Sequence, residues 1–271
     1  MKRYAVIGQP VSHSLSPRIH AAFAAAAGIA LEYQALAVEP EHLAARLAEW
    51  HAEGWSGFNV TLPHKQAAMA LCGDVSERAQ RAGAVNTLSR RDGDWQGDNT
   101  DGMGLMRDLE RLGVALADKR VLILGAGGAA RGIIGPLLAA RPSSLVVSNR
   151  NPWKPEALSE TFADLGVLTP RTHWALKGDA FDVVINATSA GHGGVMPPMP
   201  DGLFAKGGVA YDLSYGKAHR PFADWATAQS AAAVHDGLGM LVEQAAESFK
   251  GWHGVMPQTV PVLAKLREGS P

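Results

Sequence analysis

The chain has 271 residues, of which 46% are hydrophobic and 19% are charged, an ordinary composition for a globular protein of one large or two medium domains. Its 25 basic and 26 acidic residues nearly cancel, so the overall charge gives no reason to expect binding to nucleic acid or to an anionic membrane. The single cysteine, Cys72, excludes an internal disulfide and a cysteine metal cluster, and no two histidines have metal-binding helical spacing, so we expect no metal.

No apolar run approaches the roughly 20 residues that a membrane-spanning helix needs, and the short run after Met1 is typical of a strand, not of a signal peptide. We therefore expect a soluble cytoplasmic protein, a monomer or a homodimer, whose partner is a small molecule.

Strand-like apolar runs and helix-like patterns alternate from one end of the chain to the other. The first hundred residues predict a strand over 4–8, a helix over 17–27 with Ser16 as its N-cap, a strand over 32–38, a helix over 40–53, a strand over 57–62, helices over 66–71 and 76–81, and a strand over 84–89. The remainder predicts a helix over 101–112, strands over 120–124, 145–150, 181–186 and 208–213, a helix ending near residue 140, and final helices over 238–250 and 257–268. Such alternation predicts parallel α/β sheets.

A glycine-rich turn follows the strand over 120–124 and leads into a helix. It matches the G-x-G-x-x-G/A pattern of dinucleotide-binding proteins, in which backbone N–H groups and a helix N-terminus meet the pyrophosphate. A turn of this kind can also serve packing alone, but the flanking strand and helix favour the nucleotide function. The predicted cofactor-binding residues in this turn are Gly125, Ala126, Gly127, Gly128 and Ala129.

The next strand ends with Asn149 and Arg150, and Lys154 follows on the next turn. NAD-binding proteins usually have a carboxylate at this strand end, whereas an arginine can pair with the 2′-phosphate of NADP. The sequence therefore predicts NADP, bound by these three residues. The alternative is that Arg150 is an ordinary solvated side chain at a strand terminus.

Because the glycine-rich turn lies near the middle of the chain, a separate α/β region of about 100 residues precedes it. We predict two α/β domains with a cleft between them: a substrate domain over 1–101 plus 236–271, and a Rossmann-type nucleotide-binding domain over 102–235. The C-terminal helices are assigned to the first domain because the nucleotide-binding unit is already complete by Leu213.

Polar clusters lie at predicted strand ends and helix starts in the first domain, where open α/β sheets bind ligands. They are Ser12–Pro17, Asn59–Lys65, Ala84–Thr87 and Gly97–Gly102. Their hydroxyls, amides, one lysine and one aspartate suit a small ligand with several hydroxyls and a carboxylate.

Together with Asn186-Ala187-Thr188-Ser189, and with Asp236-Gly237-Leu238-Gly239-Met240-Leu241 followed by Gln244, these motifs occur in the order typical of shikimate dehydrogenases. The chain resembles that family along nearly its whole length. The resemblance implies an oxidoreductase that acts on a CH–OH group and reversibly reduces 3-dehydroshikimate to shikimate with NADP(H), in aromatic amino acid biosynthesis.

The resemblance further implies that Lys65 and Asp101 are the catalytic pair. An ammonium beside the ketone oxygen would stabilise developing negative charge and supply the proton. The implied substrate-binding residues are Ser14, Ser16, Asn59, Thr61, Asn86, Tyr215 and Gln244. The implied residues on the nicotinamide side are Thr188, Ser189, Leu213 and Gly237.

Several alternatives remain open at this point. Local sequence alone favours Asp101 as a helix N-cap, and the serines can be turn residues. Asn151 replaces a threonine common in the family, and His13 and His64 have no assigned role. The whole chain could also be a quinate/shikimate dehydrogenase that uses NAD, or a non-catalytic regulator that binds NADP and shikimate.

Overall fold

The computed structural model describes residues 1–91 and 93–268, which form strands and helices in alternation. The strands are β1 (Lys2–Gly8), β2 (Leu31–Ala37), β3 (Gly57–Val60), β4 (Asp74–Val75), β5 (Thr87–Arg91), β6 (Asp94–Asp98), β7 (Arg120–Leu124), β8 (Ser144–Ser148), β9 (Leu168–Arg171), β10 (Phe181–Asn186), β11 (Phe204–Asp212) and β12 (Ala233–His235). The α-helices are α1 (Ser16–Ala27), α2 (Leu43–Ala52), α3 (Lys65–Met69), α4 (Glu77–Ala82), α5 (Asp101–Arg111), α6 (Gly128–Ala139), α7 (Trp153–Thr161), α8 (Arg220–Ala228), α9 (Leu238–His253) and α10 (Val260–Glu268). Short 3₁₀ helices cover Pro40–His42, Trp174–Leu176, Ala190–Gly193 and Gly216–His219.

The chain divides into two compact units. The first comprises Met1–Gly104 and Val242–Pro271, and the second comprises Leu105–Leu241. The predicted divisions, after residues 101 and 235, lie a few residues earlier in each case. Each unit contains one six-stranded sheet.

The sheet of the first unit has the strand order β2-β1-β3-β5-β6-β4 and is mixed. β1 is parallel to β2 and β3, whereas β5 is antiparallel to both β3 and β6. The prediction of an all-parallel sheet was therefore wrong in this unit. For β5 and β6 the reason is their short connection, because so few residues allow a hairpin but not the crossover that parallel strands need.

Side chains of β1 alternate between two hydrophobic layers, as the geometry of a strand requires. Ala5 and Ile7 are fully buried with Phe58 and the tryptophans Trp50 and Trp55 on one face. On the other face Tyr4 stacks on Trp252 of α9, with ring centroids 4.6 Å apart. The part of α9 from Val242 onwards thereby belongs to the core of the first unit.

The sheet of the second unit is parallel throughout, with the order β12-β11-β10-β7-β8-β9. Numbered within the unit, this is the order 3-2-1-4-5-6 of the Rossmann fold, so the predicted fold class is confirmed. The prediction omitted β9, β12, α7 and α8. β9 lies at the sheet edge and contains Pro170, a residue that sequence patterns count against a strand.

The start of α1 also differs from the prediction. Ser16 is the first residue of the helix and not its N-cap, and Leu15 occupies the cap position without a side-chain hydrogen bond. The side chain of Ser14 accepts a hydrogen bond from the Ser16 N–H at 3.3 Å, so the capping type of contact comes from a serine two residues earlier. The helix over 40–53 likewise begins with a separate 3₁₀ turn.

Across residues 1–91 and 93–268, no helix combines the length and the apolar character needed to cross a membrane. The same residues contain no group of three His, Cys, Asp or Glu side chains arranged to bind a metal.

Candidate active site

Lys65 and Asp101 form a close ion pair in the first unit. The Lys65 Nζ lies 2.6 Å from Asp101 Oδ2, and the two side chains are 26% and 12% exposed. Each residue is the first of its helix, α3 and α5 respectively. The other carboxylate oxygen of Asp101, Oδ1, accepts a hydrogen bond from Asn86 Nδ2 at 2.7 Å. Both oxygens therefore contact side chains, although the local sequence alone favours Asp101 as a helix N-cap.

Asn86 connects this ion pair to a buried polar network. Its Nδ2 also lies within hydrogen-bond distance of Thr100 Oγ1 at 2.9 Å and of Gln244 Oε1 at 3.2 Å. Its Oδ1 accepts from the backbone N–H of Thr100 at 2.9 Å. Because both ends of the amide have partners, its orientation is fixed, with the N–H groups towards Asp101.

The network continues from Asn86 to Asn59 at the end of β3. Thr87 Oγ1 donates to Asn86 Oδ1 at 2.9 Å and lies 2.7 Å from Ser248 Oγ. Asn59 Nδ2 donates to Ser248 Oγ at 3.0 Å, and Asn59 Oδ1 accepts from the Tyr33 hydroxyl at 2.7 Å. An unbroken series of polar contacts thus joins Tyr33 to Lys65.

Four residues of the network carried no predicted role: Tyr33, Thr87, Thr100 and Ser248. Thr87 and Thr100 belong to the polar motifs Ala84–Thr87 and Gly97–Gly102, respectively. Ser248 follows Gln244 by four residues on α9, and this spacing puts both side chains on the same helix face. The spacing was the signal that could have identified Ser248.

The other predicted substrate residues have separate settings. Thr61 is half-buried just after β3. Tyr215 belongs to the second unit, where it precedes the 3₁₀ helix Gly216–His219, and burial raises its pKa.

Of the histidines without a predicted role, His13 is exposed and His64 is buried. The Nε2 of His64 lies 2.8 Å from the Val38 carbonyl oxygen, a contact that connects the start of α3 to the end of β2.

His20 belongs to an aromatic cluster that adjoins this network at Tyr33. Its ring is fully buried and stacks on Tyr33, with centroids 4.3 Å apart and planes 7° apart. Burial lowers the pKa of His20 from 6.5 to about 3, so the imidazole is neutral at neutral pH.

We expect acid to lower the free energy of unfolding of the first unit through His20. In the unfolded chain the imidazole binds a proton as the pH falls through 6.5, whereas in the folded protein it stays neutral down to about pH 3. The stabilising contribution is complete above pH 6.5 and declines by about 1.4 kcal/mol per pH unit below it, or about 2 kcal/mol at pH 5. Denaturant unfolding at pH 7 and pH 5 measures this loss, which should be smaller by about that amount in His20→Phe. Equal losses in both proteins would contradict the assignment.

The glycine-rich turn of the second unit has the geometry of a phosphate cradle. Gly125 has a φ of +100°, and a Cβ there would lie 3.0 Å from the backbone of Ala187, so β7 and β10 approach closely at this point. Gly127 and Gly128 are exposed, and a Cβ on either would meet nothing within 4 Å. Ala130 is fully buried in the core. The open space above two glycines at the start of α6 fits the approach of a pyrophosphate.

Arg150 is exposed directly after β8 and Asn149, at the carboxyl edge of the sheet. His173 lies nearby, with its Nδ1 2.9 Å from Ser148 Oγ, and burial together with the charge of Arg150 lowers its pKa. Lys154 is exposed on α7. The Oδ1 of Asn151 accepts from the Trp153 N–H at 3.1 Å, so this side chain helps to start α7.

The residues predicted for the nicotinamide side gather at the carboxyl ends of β10 and β11. Asn186 Oδ1 accepts from Thr188 Oγ1 at 2.7 Å, and its backbone carbonyl accepts from the Leu213 N–H at 2.9 Å. A Cβ on Gly237 would lie 2.3 Å from the Leu213 carbonyl oxygen, so only glycine permits this approach. Ser189 follows Thr188 and precedes the 3₁₀ helix Ala190–Gly193.

Comparison with known families gives three matches in chain order. Residues 6–88 match the shikimate dehydrogenase substrate binding domain, residues 108–196 match the shikimate / quinate 5-dehydrogenase model, and residues 237–267 match the shikimate 5′-dehydrogenase C-terminal domain.

Individual relatives are similar over almost the full length. A protein of Nitrosospira multiformis named shikimate dehydrogenase (NADP(+)) is 49% identical over 99% of this chain and 98% of its own length. The crystal structure of an Ael1 enzyme from Pseudomonas putida has a TM-score of 0.92 at 45% identity and covers 98% of both chains. Shikimate 5-dehydrogenase from Thermus thermophilus, in complex with NADP(H) and shikimate, has a TM-score of 0.85 at 35% identity and covers 99% of both chains.

Proposed function

Because the chain belongs to the shikimate dehydrogenase family, we propose that it is an NADP-dependent oxidoreductase that reversibly reduces 3-dehydroshikimate to shikimate, a step in aromatic amino acid biosynthesis. The observation that carries this proposal is the ion pair between Lys65 and Asp101 at 2.6 Å, held in a buried network of amides and hydroxyls. A ring with several hydroxyls and a carboxylate needs such a set of partners.

The first unit supplies the substrate-binding side chains. Ser14 and Ser16 bind the substrate carboxylate, and Tyr215 is a further proposed substrate-binding residue. The amide and hydroxyl residues then bind the ring hydroxyls; these are Asn59, Thr61, Asn86 and Gln244. A site with buried polar partners discriminates strongly against ligands that lack the matching hydroxyl, because those partners would be left unpaired.

Lys65 is the general acid in reduction and the general base in oxidation. Its ammonium lies at the ketone oxygen, stabilises negative charge there and donates the proton; neutral Lys65 takes the proton back in the reverse direction. The Oδ2 of Asp101 accepts from Lys65 and holds it in place. Asn86 holds Asp101 in turn, because its Nδ2 donates to the Oδ1 of Asp101.

NADPH, when bound, supplies the hydride for the ketone carbon. The glycines and alanines of the turn over 125–129 fit its pyrophosphate, and Asn149, Arg150 and Lys154 fit its adenosine 2′-phosphate. Thr188, Ser189, Leu213 and Gly237 line the nicotinamide side.

Formation of NADPH from shikimate and NADP, followed by absorbance at the reduced nicotinamide band, tests the proposal. Parallel assays with quinate and with NAD separate it from a quinate/shikimate dehydrogenase that uses NAD. We expect turnover with shikimate and NADP to be the fastest of the four combinations. A protein that binds both ligands without turnover would instead be a regulator.

Arg150→Ala should lower the preference for NADP. The arginine pairs with the 2′-phosphate that only NADP carries, and charge-assisted hydrogen bonds of this kind contribute about 1.5–3 kcal/mol. We expect the KM for NADP to rise by about 10- to 100-fold, while the rate with NAD stays within about twofold. Arg171→Ala, an exposed arginine at the end of neighbouring β9, is the matched control. An unchanged NADP/NAD ratio in Arg150→Ala would reject the assigned role.

We further propose that the protein works in the cytoplasm as a monomer or a homodimer. Light scattering on the purified protein measures the oligomeric state.

A further inference from the structure

Tyr33, on β2, lies between two of the proposed substrate-binding residues. Its hydroxyl donates to Asn59 Oδ1 at 2.7 Å. The side chain of Ser16 lies beside the same hydroxyl and lowers its pKa. A single phenol therefore connects the residue proposed to bind the substrate carboxylate with one proposed to bind a ring hydroxyl.

The phenol determines which way the Asn59 amide points. Burial raises the pKa of Tyr33 well above its ordinary value, and the neighbouring Ser16 side chain opposes this only in part, so the hydroxyl keeps its proton and donates. A donor at that position must face the amide oxygen. The amide nitrogen is then directed at Ser248 Oγ, 3.0 Å away, and at the Asn86 carbonyl oxygen, 3.3 Å away.

The contacts of Asn59 continue as far as Asn86, but the orientation of Asn86 is fixed separately, because its Oδ1 accepts from the Thr100 backbone N–H at 2.9 Å. Ser248 contacts Thr87, Thr87 donates to Asn86, and Asn86 donates to Asp101. Tyr33 itself has little freedom, because its ring stacks on His20 with centroids 4.3 Å apart. The fixed ring of Tyr33 thus sets the orientation of Asn59, whereas Asn86 holds the catalytic pair through Asp101 without need of the Tyr33 hydroxyl.

We propose that Tyr33 is a positioning residue for the substrate, and that its hydroxyl fixes Ser16 and Asn59 in the orientation that binds a hydroxylated cyclic carboxylate. The inference rests on the proposed function of this site. It assigns Tyr33 an effect on substrate affinity and none on proton transfer.

The test is Tyr33→Phe, which removes one oxygen and keeps the ring that stacks on His20. Calorimetric titration with shikimate, without cofactor, should give a Kd about tenfold higher than that of the wild type, because a buried acceptor loses its donor. The KM for shikimate should rise by a similar factor. Both kcat and the KM for NADP should stay within about twofold, since neither proton transfer nor cofactor binding depends on this hydroxyl.

Tyr4→Phe is the matched control. Tyr4 pairs with Tyr33 across the sheet, is buried in the same aromatic layer, and its hydroxyl bonds to Ser56 outside the network. Its shikimate Kd should equal that of the wild type. In an Asn59→Ala background, Tyr33→Phe should have a clearly smaller effect on the Kd, because one of the two residues through which it acts is gone.

A wild-type Kd in Tyr33→Phe would overturn the inference. Equal losses in substrate affinity, kcat and NADP binding, or loss of folding in spite of the retained ring, would also overturn it, since the role would then be structural. A wild-type protein that does not bind shikimate would reject the proposed function itself. Binding by the wild type with no change in the variant rejects only the role of Tyr33.

Discussion

Lys65→Ala should lower kcat by about 10³-fold, in line with the usual contribution of a positioned general acid. The variant removes the ammonium that lies 2.6 Å from Asp101, and with it both the proton and the positive charge at the ketone oxygen. The KM for NADP should change little, because the proposed cofactor residues belong to the other unit. Steady-state rates with shikimate and NADP measure the effect.

Lys65→Arg separates the two contributions of the lysine. An arginine keeps the positive charge but does not release its proton at any working pH. We expect this variant to be nearly as slow as Lys65→Ala if proton transfer is the main role, and much faster if charge alone matters. Lys177→Ala, an exposed lysine in the second unit, should keep wild-type rates. Nearly full turnover by Lys65→Ala would mean that another group transfers the proton.

Gly127→Ala should weaken NADP binding by about 100-fold and leave folding unchanged. In the protein alone a Cβ at this position meets nothing within 4 Å, so the substitution fits. With a pyrophosphate close to the backbone, the methyl group would displace one or two charge-assisted hydrogen bonds, each contributing about 1.5–3 kcal/mol. Calorimetry with NADP and thermal unfolding measure the two properties separately.

Gly125→Ala provides the comparison for that prediction. Here φ is +100° and a Cβ would lie 3.0 Å from the backbone of Ala187, so alanine strains the fold itself. We expect a lower melting temperature for Gly125→Ala than for Gly127→Ala. If Gly127→Ala binds NADP as tightly as the wild type, the turn is a packing device and does not approach a phosphate.

The central strands of the second unit were the most predictable part of the fold, for a physical reason. Its central strands β7, β8 and β10 are buried on both faces and appear in the sequence as short continuous apolar runs. β6 in the first unit has the opposite character, since Asp-Trp-Gln-Gly-Asp is polar and contains Gly97. A Cβ on Gly97 would lie 2.7 Å from Val85 and 2.8 Å from Cys72, so glycine is kept there for close packing that no local pattern reveals.

The candidate site likewise has one part that could be predicted from the sequence and one part that could not. The resemblance implied that Lys65 and Asp101 act as a pair and that Asn86 binds the substrate, and in the structure the three side chains are in hydrogen-bond contact. The supporting residues depend on tertiary contacts instead. Thr87 and Ser248 touch at 2.7 Å but are 161 positions apart, a pairing that only the folded chain makes visible.

Because Gln244 and Ser248 complete a network whose other members all precede residue 102, the order of synthesis matters for this chain. A ribosome adds about 5–20 residues per second, so the N-terminal segment waits on the order of ten seconds for α9 to emerge. Throughout that interval the nascent chain has Asn59 and Asn86 without their C-terminal partners, while the whole nucleotide-binding unit is being translated. The network around Lys65 and Asp101 is therefore completed only after most of the chain has been synthesised.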